Sequence, residues 1–436
     1  MRNNHGPGVL TLQGERWLAG DLLPSLASAW ASAMPADAVP RSFASPLPPD
    51  PFGPASLGPV QLRNRVIKAA TFEGLSPDNV VSPALIEFHR RMSGGGVAIT
   101  TVSYVAVSRD GRGAPNEIYI HDAAAEGLAR IAEVVHAEGA AISAQLGHAG
   151  AVGTIRKRYL GPSAGRTIAG TKIEPITAAE IDEVVDQFGR GARMLAEAGF
   201  DAVELHFGHH YLVSAFLSPR WNHRTDEFGG SVEHRTRLPR YILSAVRDQV
   251  GRRIAITAKL NMTDGIRGGL AVADGIEVAR LLESDGHLDA LELTAGGSAR
   301  NQMFMFRGAP PRKEMAAALP GYQGAIFRLA GRAILRRYPF EEAYLLPLAR
   351  QFRARLSLPL ILLGGINTVT TIQQAMADGF EFVALGRALL REPALVAGMA
   401  SGSIAEGTCV HCNKCIPSIY SGTRCVLDHP EPLVVR

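Results

Sequence analysis

The stretch Ala202-Val203-Glu204-Leu205-His206-Phe207-Gly208-His209-His210-Tyr211 decides how the chain is read. Ala202 to Leu205 describe a short buried strand, and three histidines and a tyrosine crowd its tip. A buried strand that delivers titratable side chains at its C-terminal end is how a parallel α/β protein builds a site. A loop carrying surface histidines is the plain alternative. The rest of the chain argues against it.

Segments 66–71, 97–102, 140–145, 254–260, 290–294, 360–363 and 382–385 share the near-continuous apolar character of residues 202–206. That is the pattern of strands buried on both faces. Helical patterns lie between many of them. Thr177 and Glu180 form a capping box, followed by Ile181, Val184, Val185, Phe188, Ala192 and Leu195 on one face. Gly199 is placed to stop that helix, and Gly139, Gly286 and Gly379 sit in the same position before other strands. Repeated helix, glycine stop and strand predicts an α/β fold, a (β/α)8 TIM barrel. No G-x-G-x-x-G opens a helix; Gly94-Gly95-Gly96 precedes a strand and reads as a tight turn.

The barrel is expected over 51–400. Residues 1–50, rich in Pro, Ala, Ser and Gly, read as a poorly structured N-terminal extension in which Trp17 to Met34 is a loose amphipathic helix. Residues 295–359 are an insertion after strand six, suited to a lid, a subunit contact or plain surface elaboration. Residues 401–436 form a short Cys-rich C-terminal tail. All four cysteines lie between Cys409 and Cys425, so disulfides do not frame the fold. With 46% apolar and 20% charged residues and a net charge of +4, the chain is expected to be globular and cytoplasmic. No basic run interleaved with aromatics points to nucleic acid, and no apolar run is long enough for a membrane span.

In a barrel, the residues just past the strand ends share one mouth. Here they are Thr71, Gln145 with His148, His206 with His209 and Tyr211, Lys259, Gly296-Gly297, Gly364-Gly365 and Gly386-Arg387. Glycines after strands seven and eight let backbone N–H groups approach a phosphate, and Arg387 adds a cation. No acidic cluster suggests a two-metal site, and no G-x-S-x-G suggests a hydrolase. Hydrogen-bonding groups of both kinds around apolar walls suit an organic cofactor.

These motifs resemble the old yellow enzyme family of FMN-dependent NAD(P)H oxidoreductases. The matching residues are Asn64-Arg65, Ala70-Thr71, Gln145-Leu146-Gly147-His148, His206-x-x-His209-x-Tyr211, Phe216-Leu217-Ser218-Pro219, Arg224 to Ser231, Glu233-x-Arg235, Gly364-Gly365 and Ala384-Leu385-Gly386-Arg387. The resemblance implies that Thr71 and Gln145 hold the flavin ring, and that Gly364, Gly365, Gly386 and Arg387 hold its phosphate. Lys259 stands where the family usually has arginine, keeping a positive charge beside the N1/O2 edge but losing the planar fork. His206 and His209 are expected to donate to a substrate oxygen and Tyr211 to protonate the α-carbon, so that hydride from NAD(P)H reaches an activated alkene, as in an ene-reductase.

Cys409-x-x-Cys412-Asn413-Lys414-Cys415 and Cys425 resemble the cluster-bearing tails of 2,4-dienoyl-CoA reductase and trimethylamine dehydrogenase, with a shorter last spacing. A [4Fe–4S] cluster, zinc and a metal-free relic all suit four thiols with His411 and His429 nearby. A cluster would imply a flavin dehydrogenase passing single electrons to a partner protein. A flavin-free phosphate-recognising barrel or a metal-binding module is the reading from another class. Self-association is compatible with each.

Overall fold

All eight strands form, and they close on themselves. The computed structural model describes residues 47–153, 158–167, 170–298, 300–319 and 321–433. The expected helix at Trp17 to Met34, with the rest of residues 1–46, lies outside the described residues. The barrel strands are β1 (Val66–Lys68), β2 (Ile99–Ala106), β3 (Ala141–Gly147), β4 (Ala202–Phe207), β5 (Ala255–Asn261), β6 (Ala290–Thr294), β7 (Leu360–Leu363) and β8 (Phe382–Leu385). Every neighbouring pair is parallel. β8 meets β1 at Val383 opposite Val66, and β1 meets β2 at Ile67 opposite Ile99, which completes the circle.

The crossovers are α1 (Pro83–Gly94), α2 (Ala125–Ala137), α3 (Ala178–Glu197), α4 (Arg237–Val250), α5 (Val272–Ser284), α6 (Leu346–Arg353) and α7 (Val369–Ala377). Two short helices, Arg387–Arg391 and Leu395–Ala400, follow β8. α3 shows the local logic. Its reciprocal capping box is present, Thr177 Oγ1 accepting from Glu180 N and Glu180 accepting from Thr177 N. Its apolar face is buried, and Gly199 ends it at φ +87°. Gly139, Gly286 and Gly379 are likewise left-handed, as the repeated glycine stop requires.

An antiparallel hairpin, Ala55–Leu57 with Val60–Leu62, plugs the N-terminal end of the barrel. Its Ala55, Leu57 and Leu62 share a buried cluster with Ile67, Ile99, Ala202, Ala255, Ala290, Ile361 and Phe382, residues at or near the starts of their strands. Each fully buried aliphatic side chain contributes about 1.5–3 kcal/mol, so this end is a packed floor. The C-terminal end is left as the mouth.

The insertion after β6 packs against the Cys-rich tail. Its helices Gln302–Met305, Arg312–Ala318 and Gly321–Ile334 build a satellite core around Met303, Ala316, Phe327 and Leu335. They seat the Cys-rich tail: Asn413 Nδ2 donates to the Phe306 carbonyl at 2.8 Å, Ala309 N donates to the His411 carbonyl, and His411 stacks on Phe340. The tail also clasps the loop after β1, where Thr423 N and Oγ1 donate to the Glu73 and Phe72 carbonyls at 2.8 and 2.5 Å. Among the described residues no helix is long and apolar enough to cross a membrane.

Candidate active site

The site is built in tiers up the barrel. The lowest is ionic. In-register pairing sets Gln145 beside Glu204, and Lys259 between His206 and Glu292. Lys259 Nζ lies 2.8 Å from Oε1 of both Glu204 and Glu292, and Gln145 Nε2 donates to Glu204 at 2.6 Å. Burial alone would lower the Lys259 pKa. The charges of Glu204 and Glu292 outweigh it and raise it, so the ammonium stays charged. The positive charge expected from Lys259 is therefore present, but two carboxylates already share it. A second buried pair, Lys68 with Glu73 at 2.6 Å, stands next to this group.

The middle tier carries the histidines and tyrosines. His206, His209 and Tyr211 converge: His206 and Tyr211 have ring centroids 4.4 Å apart, and His206 and His209 5.1 Å. A strict strand alternation would not allow this. His209 and His210 are both left-handed, at φ +61° and +65°, which bends the chain sharply after β4. His209 N donates to Asn261 Oδ1, and its Nε2 meets Thr294 Oγ1 at 2.9 Å, so this ring is fixed from β5 and β6. Gly208 N donates to His206 Nδ1, which assigns the ring proton to Nε2. His210 packs instead against Trp221 with Nε2 3.5 Å from Asp264, in keeping with a structural role. Tyr104, whose ring edge meets both His206 and Tyr211, donates to the Gly111 carbonyl and walls this tier.

Burial, then the neighbouring charge of Lys259, pushes His209 down to about 3, and burial with His209 and Lys259 pushes His206 well below 6.5. Both rings are neutral at physiological pH. In the unfolded chain each takes up a proton below about pH 6.5, which the fold refuses. Stability is therefore fully present above that pH. It is expected to fall on acidification by about 1.4 kcal/mol per pH unit per histidine, down to the folded value of about 3 for His209. Urea denaturation between about pH 7 and 5 measures this, and a midpoint constant over that window contradicts it.

The upper tier lies across β1, β7 and β8. Thr71 Oγ1 is buried without a hydrogen-bond partner. Its Cγ2 stands 3.5 Å from where a Cβ on Gly386 would be, so these two expected residues are neighbours. Gly364 and Gly365 are left-handed at φ +110° and +76°, with Leu345 and Tyr344 packed where side chains would start. Arg387 donates to the Arg307 carbonyl at 2.9 Å and to Asn413 Oδ1, tying this tier to the tail. Sequence reading missed Arg307, whose guanidinium lies over Tyr344 and whose buried Nε has no hydrogen-bond partner. It also missed Glu204 and Glu292, for which the signal was a carboxylate inside an apolar strand.

Cys409, Cys412, Cys415 and Cys425 all line one cavity of about 20 Å³ together with Arg387 and Asn413. All four are free thiols. Burial pushes Cys415 up to about 12 although Arg387 opposes it. Among the described residues, no three His, Cys, Asp or Glu side chains are grouped so as to hold a single metal ion.

A parallel barrel whose mouth gathers neutral imidazoles, a buried orphan hydroxyl and a glycine-lined edge is suited to an organic cofactor. The chain belongs to the NADH:flavin oxidoreductase / NADH oxidase family, whose model matches residues 50–293. It is 49% identical over 392 residues to the 4,4'-dithiodibutanoate disulfide reductase of Rhodococcus erythropolis, covering 89% of this chain and 97% of that one. It is 28% identical over 375 residues to the NADH oxidase of Thermoanaerobacter brockii, covering 84% of this chain and 53% of the relative, about half its length. An old yellow enzyme homologue from Zymomonas mobilis shares the fold, with TM-score 0.66, 22% identity, and coverage of 89% of this chain and all of that one. The protein is thus an enzyme of a flavin- and nicotinamide-dependent family.

Proposed function

We propose that the chain is an FMN-dependent NAD(P)H oxidoreductase that reduces an electron-poor small molecule at the His206, His209 and Tyr211 face. The observation that carries this is the meeting of those three side chains in a barrel mouth that also holds an orphaned Thr71 hydroxyl. The residues fit the cofactor. Thr71 offers an unspent hydroxyl, Gln145 an amide, and Gly386 open backbone for a phosphate beside Arg387 and Arg307. FMN bound there supplies the hydride chemistry. His206 and His209, being neutral, stabilise developing negative charge on a substrate oxygen without carrying a net charge themselves. Tyr211 supplies the proton. An activated alkene, such as an enone, uses all three roles.

A second reading is favoured by the Rhodococcus relative, which is named for a disulfide and matches over nearly its whole length. Reduction of a linear disulfide needs the same hydride source and one proton, and yields two thiols. NAD(P)H consumption by the yellow holoenzyme with cyclohexenone and with a dicarboxylate disulfide separates the two. Turnover of neither, in a protein that holds FMN, removes both.

For the tail we assign an Fe–S cluster to Cys409, Cys412, Cys415 and Cys425. All four line one cavity, and four thiolates are the ligand set such a cluster takes. Iron and sulfide analysis after anaerobic purification tests it, and zinc or no metal refutes it.

A further inference from the structure

Two carboxylates and one ammonium meet inside the barrel with almost no access to water. Glu204, Lys259 and Glu292 are 3%, 2% and 1% exposed, and Lys259 Nζ is equidistant from the two acids at 2.8 Å. The charges around Glu292 do not balance this excess. From β4 it faces Glu204, from β5 Lys259, and from β1 comes Lys68, already matched by Glu73. The histidines His206 and His209 above are neutral, and the β7 and β8 strands LILL and FVAL bring no ionisable group. Two acids sharing one cation away from water cannot both stay ionised, so the pair holds one proton at lower pH.

The hydrogen bonds set the two acids apart. Glu204 accepts from Gln145 and from Lys259. Glu292 has only the ion contact with Lys259, and its buried Oε1 accepts no hydrogen bond. Burial and then Glu204 push its pKa up to about 8.

We propose that Glu292 is a redox-coupled proton acceptor: where it is ionised in the oxidised protein, it binds one proton from solvent when reduction brings negative charge to the barrel mouth and releases it on reoxidation. This rests on the FMN reading above. The balance is simple. NAD(P)H is oxidised to NAD(P)+ and gives up a hydride, two electrons and one proton, leaving one added negative charge near Lys259. Lys259 is then shared among three anionic partners, so its hold on Glu292 weakens and an O–H bond forms there with a proton from water. When the substrate takes the hydride, the added charge disappears and Glu292 gives that proton back.

The test is the two-electron reduction potential of the FMN holoenzyme, measured with equilibrating dyes from about pH 6 to 10. One proton per two electrons gives about 30 mV for each tenfold change in proton concentration, and two protons about 59 mV. The wild type is expected to follow the shallower slope below the Glu292 value of about 8 and to steepen above it. Glu292→Gln is expected to keep the shallow slope throughout. Glu292→Asp, which retains a carboxyl, is expected to keep a break at a shifted pH and covers the case of a Gln variant that does not fold. A wild-type slope without a break, or a break that survives in Glu292→Gln, overturns the proposal while FMN binding stands. A protein that takes up no FMN overturns the flavin reading and this proposal with it.

Discussion

Replacing Tyr211 with phenylalanine is expected to lower enone reduction by about 10²–10⁴-fold, the usual contribution of a positioned general acid. The change removes only the hydroxyl. The ring keeps its edge contact with Tyr104 and its neighbour His206, and the backbone of Tyr211 still accepts from Ala215 N at the start of the short helix Leu212–Leu217. Reduction of the bound flavin by NAD(P)H needs no proton from this residue, so its rate is expected to stay within about twofold. Stopped-flow spectrophotometry separates the two half-reactions. Equal loss in both would mean that Tyr211 acts on cofactor or nicotinamide binding. The same variant tells substrates apart. Carbon protonation of an enone requires an acid in place, whereas a departing thiolate has a conjugate pKa of about 8.5 and needs one far less. A variant that loses the enone but keeps a disulfide would therefore support the second substrate class.

The largest effect on stability is expected at the other buried pair. Lys68 Nζ donates to Glu73 Oε1 at 2.6 Å and to the Thr101 carbonyl at 3.0 Å, and both side chains are 1% exposed. Burial works against the Glu73 carboxylate, yet Lys68 and His89 outweigh it and keep it ionised. Lys68→Met strands that charge, and a loss of about 3–5 kcal/mol is expected, as for other buried pairs broken from one side. Lys68→Met with Glu73→Gln is expected to recover much of the loss, because the uncompensated charge is gone while Ser103 N can still donate to the amide oxygen. Denaturant unfolding of the single and double variants measures both. A double variant no better than Lys68→Met alone would show that packing, not charge, sets the cost. Thr71 and the tail contacts at Phe72 and Glu73 adjoin this pair, so it also braces the upper edge of the mouth.

Much of this molecule was legible from its residues. Eight apolar runs, a capping box at Thr177 and glycine stops at Gly139, Gly199, Gly286 and Gly379 all record local backbone preference, and all appear where expected. The crowding of His206, His209 and Tyr211 at one strand tip was equally local. Three features were not legible. Glu204, Lys259 and Glu292 come from three strands, and only barrel closure and register bring their charges within 2.8 Å. The insertion after β6 carried weak periodicity because its partner is the distant tail, seated on it through Asn413 and His411. Arg387 read as a phosphate ligand, and nothing near it in sequence pointed to its contact with Asn413.

The sequence by itself determined the barrel and which end of it carries the polar groups, because helix caps, glycine stops and strand patterns are set by each residue and its near neighbours. The tertiary structure alone decided how the charges pair, where His209 turns, and that the cysteine tail leans on Arg387 and Phe72. Those outcomes depend on which residues long stretches of chain bring within a few ångströms, and no local preference encodes that distance.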